Sequence, residues 1–493
     1  MKKYLFKSLA LTLSILLSIG VFAGCNKNNT SSDSSDFVNS DDSDDDFFVY
    51  DPNNTDSNSD DSGKQTSSGK NNNSGGKNNN SGSTSGGSTN KTDRLAVFKN
   101  MPAKLRGTTV TFAQWGDEGG ERYRKLAQKF TNDYGIKVKW VDYNEENYPS
   151  EILTQIAANN GPDIVVCNSD FPSIVETTQE LPSYFNLNDG FWDKRITDKL
   201  QVKGKYYYVN SYTSPYINTQ LIFYNKKIFS SKGITTPDEY YSAGKWTYEN
   251  FVKCMENVTK AGYTGALINT HLSIAQHMGG RDIFTYDPKT ATFTADTTNS
   301  VLVDAVQFVA ECADKGLSKD YANFANGQVG MVVNNVWGLK YNGYLKKMSP
   351  SDIGVVPMPS SYKGKQLSSF VSGTRAYGIA KNAKNPEGAY YFLRYYLDYA
   401  NYQDAGVNIF ANKKLEKFYV ETVMPKYKND TVIVCSYATG LTKLTGNTFY
   451  TWEDPWRSAF QAAAGQVTTE LAKLQGLCAN QAKLGTERLK KAG

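Results

Sequence analysis

The sequence is poor in histidine, cysteine and charge for its length, and each shortage excludes a class of protein. Two His among 493 residues cannot supply sites built on several His ligands to zinc or non-haem iron. Six Cys are too few for a disulfide-dense scaffold of this size. The formal net charge of +5 comes without a run of basic residues between aromatic ones, so nucleic-acid binding is not expected. The mean hydropathy of −0.52 excludes a protein that crosses a membrane many times.

Aromatic residues, in contrast, are abundant, with 33 Tyr, 24 Phe and 7 Trp. The length is sufficient for two or three domains and a large buried core. Tyr and Trp rings also offer large contact areas of defined geometry. The composition therefore fits a large globular protein, in which many of the rings must belong to the core.

The first 25 residues have the pattern of a secretion signal. Three lysines precede an apolar run over Leu9–Val21, which has the length of a signal h-region and is too short to span a bilayer well. The run ends in Phe22-Ala23-Gly24-Cys25, which resembles the lipobox of bacterial lipoproteins. In that family the Cys is acylated and becomes the mature N-terminus, and two acyl chains make the attachment durable. We expect lipidation at Cys25; an ordinary secretory signal peptide that contains a Cys is the alternative.

Residues 26–92 are almost free of apolar side chains. The first half is acidic and the second is rich in Gly, Ser and Asn, so the segment cannot bury enough surface to offset its ordering entropy. As a flexible coil it would have a reach of roughly 45 Å. We interpret it as a stalk through a cell wall, which predicts attachment to the outer face of the membrane of a Gram-positive bacterium.

The body alternates strand and helix patterns from residue 109 onward. Strands are predicted at Thr109–Ala113, Ile136–Val141 and Asp163–Cys167, and helices at Glu121–Tyr134 and Ser150–Ala158. This order is typical of a parallel sheet with helices on its faces. Ligands of such sheets bind beyond the carboxyl ends of the strands, so the loops Gln114–Gly120 and Asn168–Pro172 are candidate binding loops.

A series of segments then carries a resemblance. In chain order they are Ile156–Ile164 (IAANNGPDI), Phe223–Lys226 (FYNK), Trp246–Glu249 (WTYE), Phe324–Met331 (FANGQVGM) and Tyr377–Asn382 (YGIAKN). This series resembles the family 1 extracellular solute-binding proteins, the ligand-capturing components of carbohydrate ABC importers, and it covers most of residues 105–493. The sequence departs from the family at Val209–Ser211, where a Pro is often found, and at Cys167, where sugar-binding relatives sometimes carry an aromatic residue.

The resemblance implies a two-lobed α/β fold of the periplasmic-binding-protein type II kind, with a hinge and an interlobe cleft. One lobe would comprise residues 93–215 plus 371–430, and the other 216–370 plus 431–493. The segments 210–218 and 368–376 are the candidate crossings between them. A solute that bridges both lobes favours the closed state by its higher affinity for that state.

Family position and loop position together select the candidate ligand-binding residues. Aromatic rings would stack on sugar faces, while Asp, Glu and Asn would pair with hydroxyls, which are costly to leave unpaired. The candidates are Trp337, Trp452, Asp117, Glu118, Asp170, Trp115, Asn168, Tyr216, Asn218, Asn269 and His271. Each has a structural alternative: packing for the rings, and solvated helix-start carboxylates for Asp117 and Glu118, which also suit the helix dipole.

Metal and cofactor sites are not expected. His271 and His277 are spaced so that they do not share a helix face, and the cysteines form no CxxC motif. Five Cys remain once Cys25 is lipidated, so at least one must be free or paired with another chain; we expect buried thiols. For Arg375 an inter-strand structural role is favoured over contact with an acidic sugar.

These observations predict a monomeric, lipid-anchored receptor that binds a saccharide, in particular an oligosaccharide, and passes it to ABC permease subunits without enzymatic chemistry. A receptor for a peptide or a polyamine is one alternative. A surface glycoside hydrolase is another, and it would require two facing carboxylates about 5–10 Å apart. A wall-attached adhesin would account for the stalk but not for the two-lobe series.

Overall fold

The computed structural model describes residues 94–115, 121–143, 147–167, 171–268, 271–281, 283–319, 323–338, 344–410, 413–429, 431–444 and 455–492. The predicted signal sequence, the lipidation site Cys25 and the linker 26–92 lie outside the described residues. The described residues all belong to one unit of the chain, which spans Asp45–Gly493. None of the helices in the described ranges combines the length and the apolar character that a membrane span needs.

Strands and helices alternate along most of the chain. The strands are β1 (Thr109–Trp115), β2 (Lys137–Tyr143), β3 (Ile164–Cys167), β4 (Ile217–Asn225), β5 (Thr264–Leu267), β6 (Phe284–Asp287), β7 (Thr292–Ala295), β8 (Val329–Asn335), β9 (Ile353–Pro357), β10 (Ser361–Tyr362), β11 (Lys365–Gln366), β12 (Val371–Thr374), β13 (Ala376–Ile379) and β14 (Val432–Val434). The helices are α1 (Ala96–Lys99), α2 (Glu121–Tyr134), α3 (Tyr148–Ala157), α4 (Lys194–Thr197), α5 (Lys226–Ser231), α6 (Pro237–Ser242), α7 (Tyr248–Lys260), α8 (His271–Gly279), α9 (Ser300–Asp314), α10 (Tyr344–Lys347), α11 (Pro386–Tyr396), α12 (Tyr399–Asp404), α13 (Lys413–Phe418), α14 (Met424–Asn429), α15 (Ala438–Lys443), α16 (Pro455–Phe460) and α17 (Val467–Ala492).

The first sheet has the strand order β13-β3-β1-β2. β1 is parallel to β2 and to β3, with helices α2 and α3 between them in the chain. The predicted β-α-β-α-β unit with a parallel sheet is therefore confirmed. β13 adds an antiparallel edge, with Ala376 opposite Cys167. Helix α2 ends where the sequence indicates, because Gly135 adopts a left-handed φ of +77° that residues with a Cβ rarely adopt.

The second sheet has the order β14-β12-β4-β8-β5, with β9 also paired to β4. β4 is antiparallel to β8, β9 and β12, whereas β5 is parallel to β8. All residues of β9 and most of β4 and β8 are buried, as expected for strands covered on both faces.

Aromatic side chains supply much of the core between helices and the first sheet. Helix α11 begins with Pro386 and is capped by the Asn385 side chain, which accepts from Gly388 N at 3.0 Å; both features are typical of a helix start. Phe392 of this helix packs on Phe112 of β1 and Phe130 of α2. Many of the abundant Tyr and Phe residues therefore serve packing, as anticipated.

The chain passes between the two sheets at the two segments that sequence indicates. Val209 bridges to Tyr377 beside the first sheet, and eight residues later Ile217 begins β4 of the second. The return passage is shorter, since only Arg375 separates β12 from β13. Residues 371–374, which the expected boundary assigns to the first lobe, pair with β4 of the second sheet. The chain reaches the second sheet again after α14, where it enters β14.

Candidate functional site

The carboxyl ends of the parallel strands in both sheets meet at the crossing segments. Ala376, at the start of β13, lies opposite Cys167, the last residue of β3. On the other side of Arg375, Gly373 lies opposite Asn218 of β4, and the β4–β8 ladder places Asn335, the last residue of β8, near the same end. Because ligands of open α/β sheets bind beyond carboxyl ends, this edge is the candidate ligand site.

Trp337 lies at this edge, two residues after β8. Its side chain is half-buried, and its ring lies nearly parallel to that of Tyr216, at 13° with centroids 6.1 Å apart. The ring of Phe410 is 4.8 Å away at 37°. The Asn335 side chain accepts a hydrogen bond from Trp337 N at 3.0 Å, which fixes the turn that carries the indole. Trp337 thus combines a packed ring with partial exposure.

Tyr216 lies at the end of the first crossing segment and is 3% exposed. Its hydroxyl accepts from the Tyr396 hydroxyl at 2.5 Å and lies 3.3 Å from the Tyr402 hydroxyl. Its ring also stacks on Tyr123 of α2, with centroids 6.2 Å apart and an angle of 24°. Tyr216 is therefore the middle ring of a stack that runs from Tyr123 of α2 to Trp337, which follows β8.

The two crossing segments are joined directly to one another. Asn210 Nδ2 donates to the carbonyl oxygen of Arg375 at 2.8 Å, and the Arg375 guanidinium lies 5.7 Å from the centroid of the Tyr216 ring, within cation–π range. The structural role favoured for Arg375 agrees with these contacts. The hydroxyl of Tyr419 adds a third support, because it accepts from Ile217 N at 3.1 Å and donates to Pro215 O at 3.0 Å.

Two acceptors at this edge lack partners in the described part of the chain. Asn218 Oδ1 and Gln114 Oε1 are both buried without a hydrogen bond. Gln114 is fully buried near the end of β1, and its Nε2 donates to Asp142 Oδ1 at 3.3 Å. A buried acceptor that lacks a donor is costly, so both atoms are suited to accept from a ligand hydroxyl.

The remaining candidates are only partly covered by the structure. Asp117, Glu118, Asn168, Asp170, Asn269 and Trp452 lie outside the described residues. Trp115 is the last residue of β1, and His271 is the first residue of α8. Residues 116–120 follow Trp115, the end of β1, and residues 168–170 follow Cys167, the end of β3. Because β1 and β3 are parallel, both strand ends lie at the candidate edge.

Sequence reasoning missed two residues at or beside this edge, Phe410 and Tyr123. It placed Gln114 in a candidate binding loop, whereas the structure places it in β1, on the same fully buried strand face as Val110 and Phe112. Phe410 and Tyr123 carry no sequence signal of their position, because their contacts join segments distant in sequence.

The side chains that suggested metal or thiol chemistry are structural in the described regions. No group of three metal-ligating side chains is found there. The five cysteines after Cys25 form no disulfide with one another; four are buried and Cys435 is half-buried. Burial raises the pKa of Cys254 and Cys312 to about 12, which keeps these thiols protonated and unreactive. The expectation of buried thiols is confirmed for the four buried cysteines, Cys167, Cys254, Cys312 and Cys478.

The similarities of this chain to known proteins agree with its fold. The model of the family described as bacterial extracellular solute-binding protein matches residues 115–403, more than half of the chain. Among solved structures the chain is similar to an ABC transporter solute binding protein from Thermotoga lettingae TMO bound with α-D-tagatose, with 16% identity and a TM-score of 0.55 over 77% of this chain and 100% of that chain. It is also similar to the GacH receptor of Streptomyces glaucescens GLA.O, with 18% identity and a TM-score of 0.50 over 78% of this chain and 98% of that chain.

At these identities the likeness establishes the fold, and the two-lobed α/β architecture expected from the sequence is confirmed. None of the curated proteins matches the chain by sequence.

Proposed function

The chain belongs to the bacterial extracellular solute-binding proteins, and we propose that it captures a saccharide, in particular an oligosaccharide, at the edge where its two sheets meet. Members of this family bind solutes for transport rather than transform them. The protein would then pass the intact saccharide to the permease subunits of an ABC importer.

The observation that carries the proposal is the ring stack at the crossing. The Trp337 ring stacks on that of Tyr216 at 13° and its side chain is only half-buried, as required of a platform for a pyranose C–H face. The unpartnered acceptors Asn218 Oδ1 and Gln114 Oε1 would accept from sugar hydroxyls. The Thermotoga protein that shares the fold was solved with a sugar bound, which supports a saccharide over other solutes.

Further contacts are proposed from family position and strand ends. Tyr216 would act chiefly by supporting Trp337. The other proposed ligand contacts are Trp115, Asp117, Glu118, Asn168, Asp170, Asn269, His271 and Trp452. Carboxylates and amides in loops after strand ends would pair with hydroxyls, while Trp452 would offer a second stacking surface.

The same proposal covers location and organisation. We place the protein as a monomer on the outer face of a Gram-positive membrane, anchored through Cys25 and extended by the stalk 26–92. Its lobes would be residues 93–215 plus 371–430 and residues 216–370 plus 431–493, with the second crossing centred on Arg375. A hinge of this kind works because a few residues at element ends absorb the change in φ and ψ.

The test is a calorimetric titration of the full mature chain with a panel of oligosaccharides, polyamines and peptides, followed by chromatography of each mixture. We expect at least one saccharide to bind and to be recovered uncut. Binding of a polyamine or a peptide with no response to any saccharide would refute the proposed ligand class. Recovery of a shortened saccharide would instead identify a hydrolase.

A further inference from the structure

Arg94, the first described residue, is held by three acceptors on one short helix. Its guanidinium donates to Asp398 Oδ2 at 2.9 Å and to Asn401 Oδ1 at 2.5 Å, and it also pairs with Asp404. These three acceptors occur at intervals of three residues along α12 and its N-cap, Asp398. The side chains of Arg94 and Asp398 are only 10% and 9% exposed, so this is a sheltered ion pair and not a surface one. We call this group the Arg94 clamp.

The carboxylate of Asp398 faces the first crossing segment as well as Arg94. Its Oδ1 accepts from Thr213 Oγ1 at 3.4 Å, and the backbone of the next residue, Tyr399, donates to Thr213 O at 3.0 Å. The hydroxyl of Ser211 donates to Leu397 O. The start of α12 therefore binds the crossing through side-chain and backbone contacts.

Helix α12 also reaches the ring stack of the candidate site. Tyr402, within this helix, places its hydroxyl 3.3 Å from that of Tyr216, whose ring underlies Trp337. Asn401, which accepts from Arg94, donates through its own Nδ2 to Tyr395 O at 2.8 Å. The residues that hold Arg94 are thus built into the same support that holds Tyr216.

Arg94 lies close in the chain to the end of the predicted stalk. The predicted stalk ends at residue 92, and the chain after Arg94 is fixed to the first lobe by Phe98, which stacks on Tyr134 at 4.3 Å and 24°. The stalk therefore joins the body beside the helix that supports the crossing, at a short distance along the chain from the clamp.

We propose that Arg94 is a positioning residue for the lobe crossing. Its guanidinium neutralises Asp398 and Asp404 and thereby holds α12 against Thr213 and Tyr216. This inference rests on the proposed function for the role of the crossing as a hinge. Without Arg94, the buried carboxylate of Asp398 would lose its counter-ion. Asp404 would lose this ion pair at the last residue of α12, where the helix dipole disfavours a negative charge. Both effects loosen the helix.

The test compares amide hydrogen exchange of the full chain carrying Arg94→Ala with that of the chain carrying Lys104→Ala, without any ligand. Lys104 is a matched control, because it also forms a salt bridge in the first lobe, with Glu387 at 2.8 Å, but is 71% exposed. We expect the amides of Thr213 and Tyr399 to exchange about tenfold faster in the Arg94 variant than in the control. The amides of β9 in the second lobe should exchange equally in both.

Equal exchange at Thr213 and Tyr399 in the two variants would overturn the inference. If Arg94→Ala also accelerates exchange in β9, global unfolding is the cause and Arg94→Met decides instead. A methionine keeps an unbranched apolar stem but carries no charge and no donor, so faster exchange confined to the crossing and α12 supports the inference and its absence overturns it. Because no ligand is added, a failed saccharide panel leaves this result unaffected.

Discussion

Because the Trp337 ring is packed and half-buried, its removal should change both ligand affinity and stability. Trp337→Ala should weaken saccharide binding by tenfold or more, because the stacking surface is lost; aromatic stacking is worth about 1 kcal/mol beyond the buried area. The same change should lower the free energy of unfolding by about 2 kcal/mol, since contacts with Tyr216 and Phe410 disappear. Calorimetric titration and urea unfolding measure the two effects.

Trp140→Ala is the matched control for that prediction. Trp140 is also half-buried and packs on Phe112 and Tyr396, but it lies in the middle of β2, away from the candidate edge. This variant should lose comparable stability and keep its affinity. Loss of affinity in the control variant, or an unchanged affinity in Trp337→Ala, would remove the indole from the binding site.

The burial of His277 leads to a prediction of how the stability of the protein depends on pH. Its imidazole is 3% exposed, with the Tyr248 hydroxyl 2.8 Å from Nδ1, and burial lowers its pKa to about 4. An unfolded His titrates near 6.5. Between these values the unfolded chain takes up a proton that the folded chain does not. Stability is therefore complete above about pH 6.5 and falls as the pH decreases toward 4, by about 3 kcal/mol from this residue.

Urea unfolding at pH 7 and pH 4.5 measures the effect. His277→Gln should be less stable than the parent at pH 7, but its stability should decline less between the two pH values. An identical decline in the parent and in His277→Gln would contradict the assignment.

At the scale of elements, local patterns predicted local structure well. Helix α2 has the predicted bounds, Glu121–Tyr134, because Tyr123, Leu126 and Phe130 recur at helical spacing on its buried face and Gly135 ends it. β1 extends two residues beyond the predicted Ala113. The prediction ended at Ala113 because the next residue, Gln114, is polar, although its side chain is buried.

Features that depend on distant segments could not be predicted. The pairing of β13 with β3 joins residues that are about two hundred positions apart, and no local pattern encodes such a partner. The π-helical turn Tyr419–Val423 places the Tyr419 hydroxyl against Ile217 N, and only the folded chain brings the two together. The same holds for the candidate site: Trp337, Tyr216 and Asn218 were predicted from family position, whereas the ring of Phe410 was not.

Gly354 of β9 tests how tightly the second sheet packs. It lies opposite Tyr224 of β4, and a Cβ at this position would be 2.0 Å from the Tyr224 ring. Gly354→Ala should therefore displace the ring or the strand and destabilise the protein by about 1–3 kcal/mol. Urea unfolding measures the change.

Gly476→Ala is the corresponding control. Gly476 lies inside the long helix α17, with nothing within 4 Å of its added Cβ. Because Gly costs a helix interior about 0.5–1 kcal/mol relative to Ala, this substitution should stabilise the chain. Opposite signs are expected for the two variants, and a neutral Gly354→Ala would show that the sheet relaxes at that point.

At the scale of the whole body, the two sheets share one buried core. A continuous cluster of apolar side chains includes Val110 and Ile164 of the first sheet and Leu221 and Val333 of the second. Contacts outside the crossing segments also join parts of the chain that precede and follow the first crossing, including the hydroxyl of Tyr286, which donates to Gln201 O at 2.8 Å. Independent unfolding of one lobe would expose part of this core and break these contacts.

We therefore expect the chain to unfold in a single calorimetric transition, although it has two lobes. A saccharide that binds only the folded chain should move this transition to higher temperature as a unit, since at one hundred times its Kd it adds about 2.7 kcal/mol of stability. Scanning calorimetry with and without the saccharide identified in the titration panel measures both properties. Two transitions, of which the sugar shifts only one, would show that the lobes are energetically separate and that the ligand contacts one of them alone.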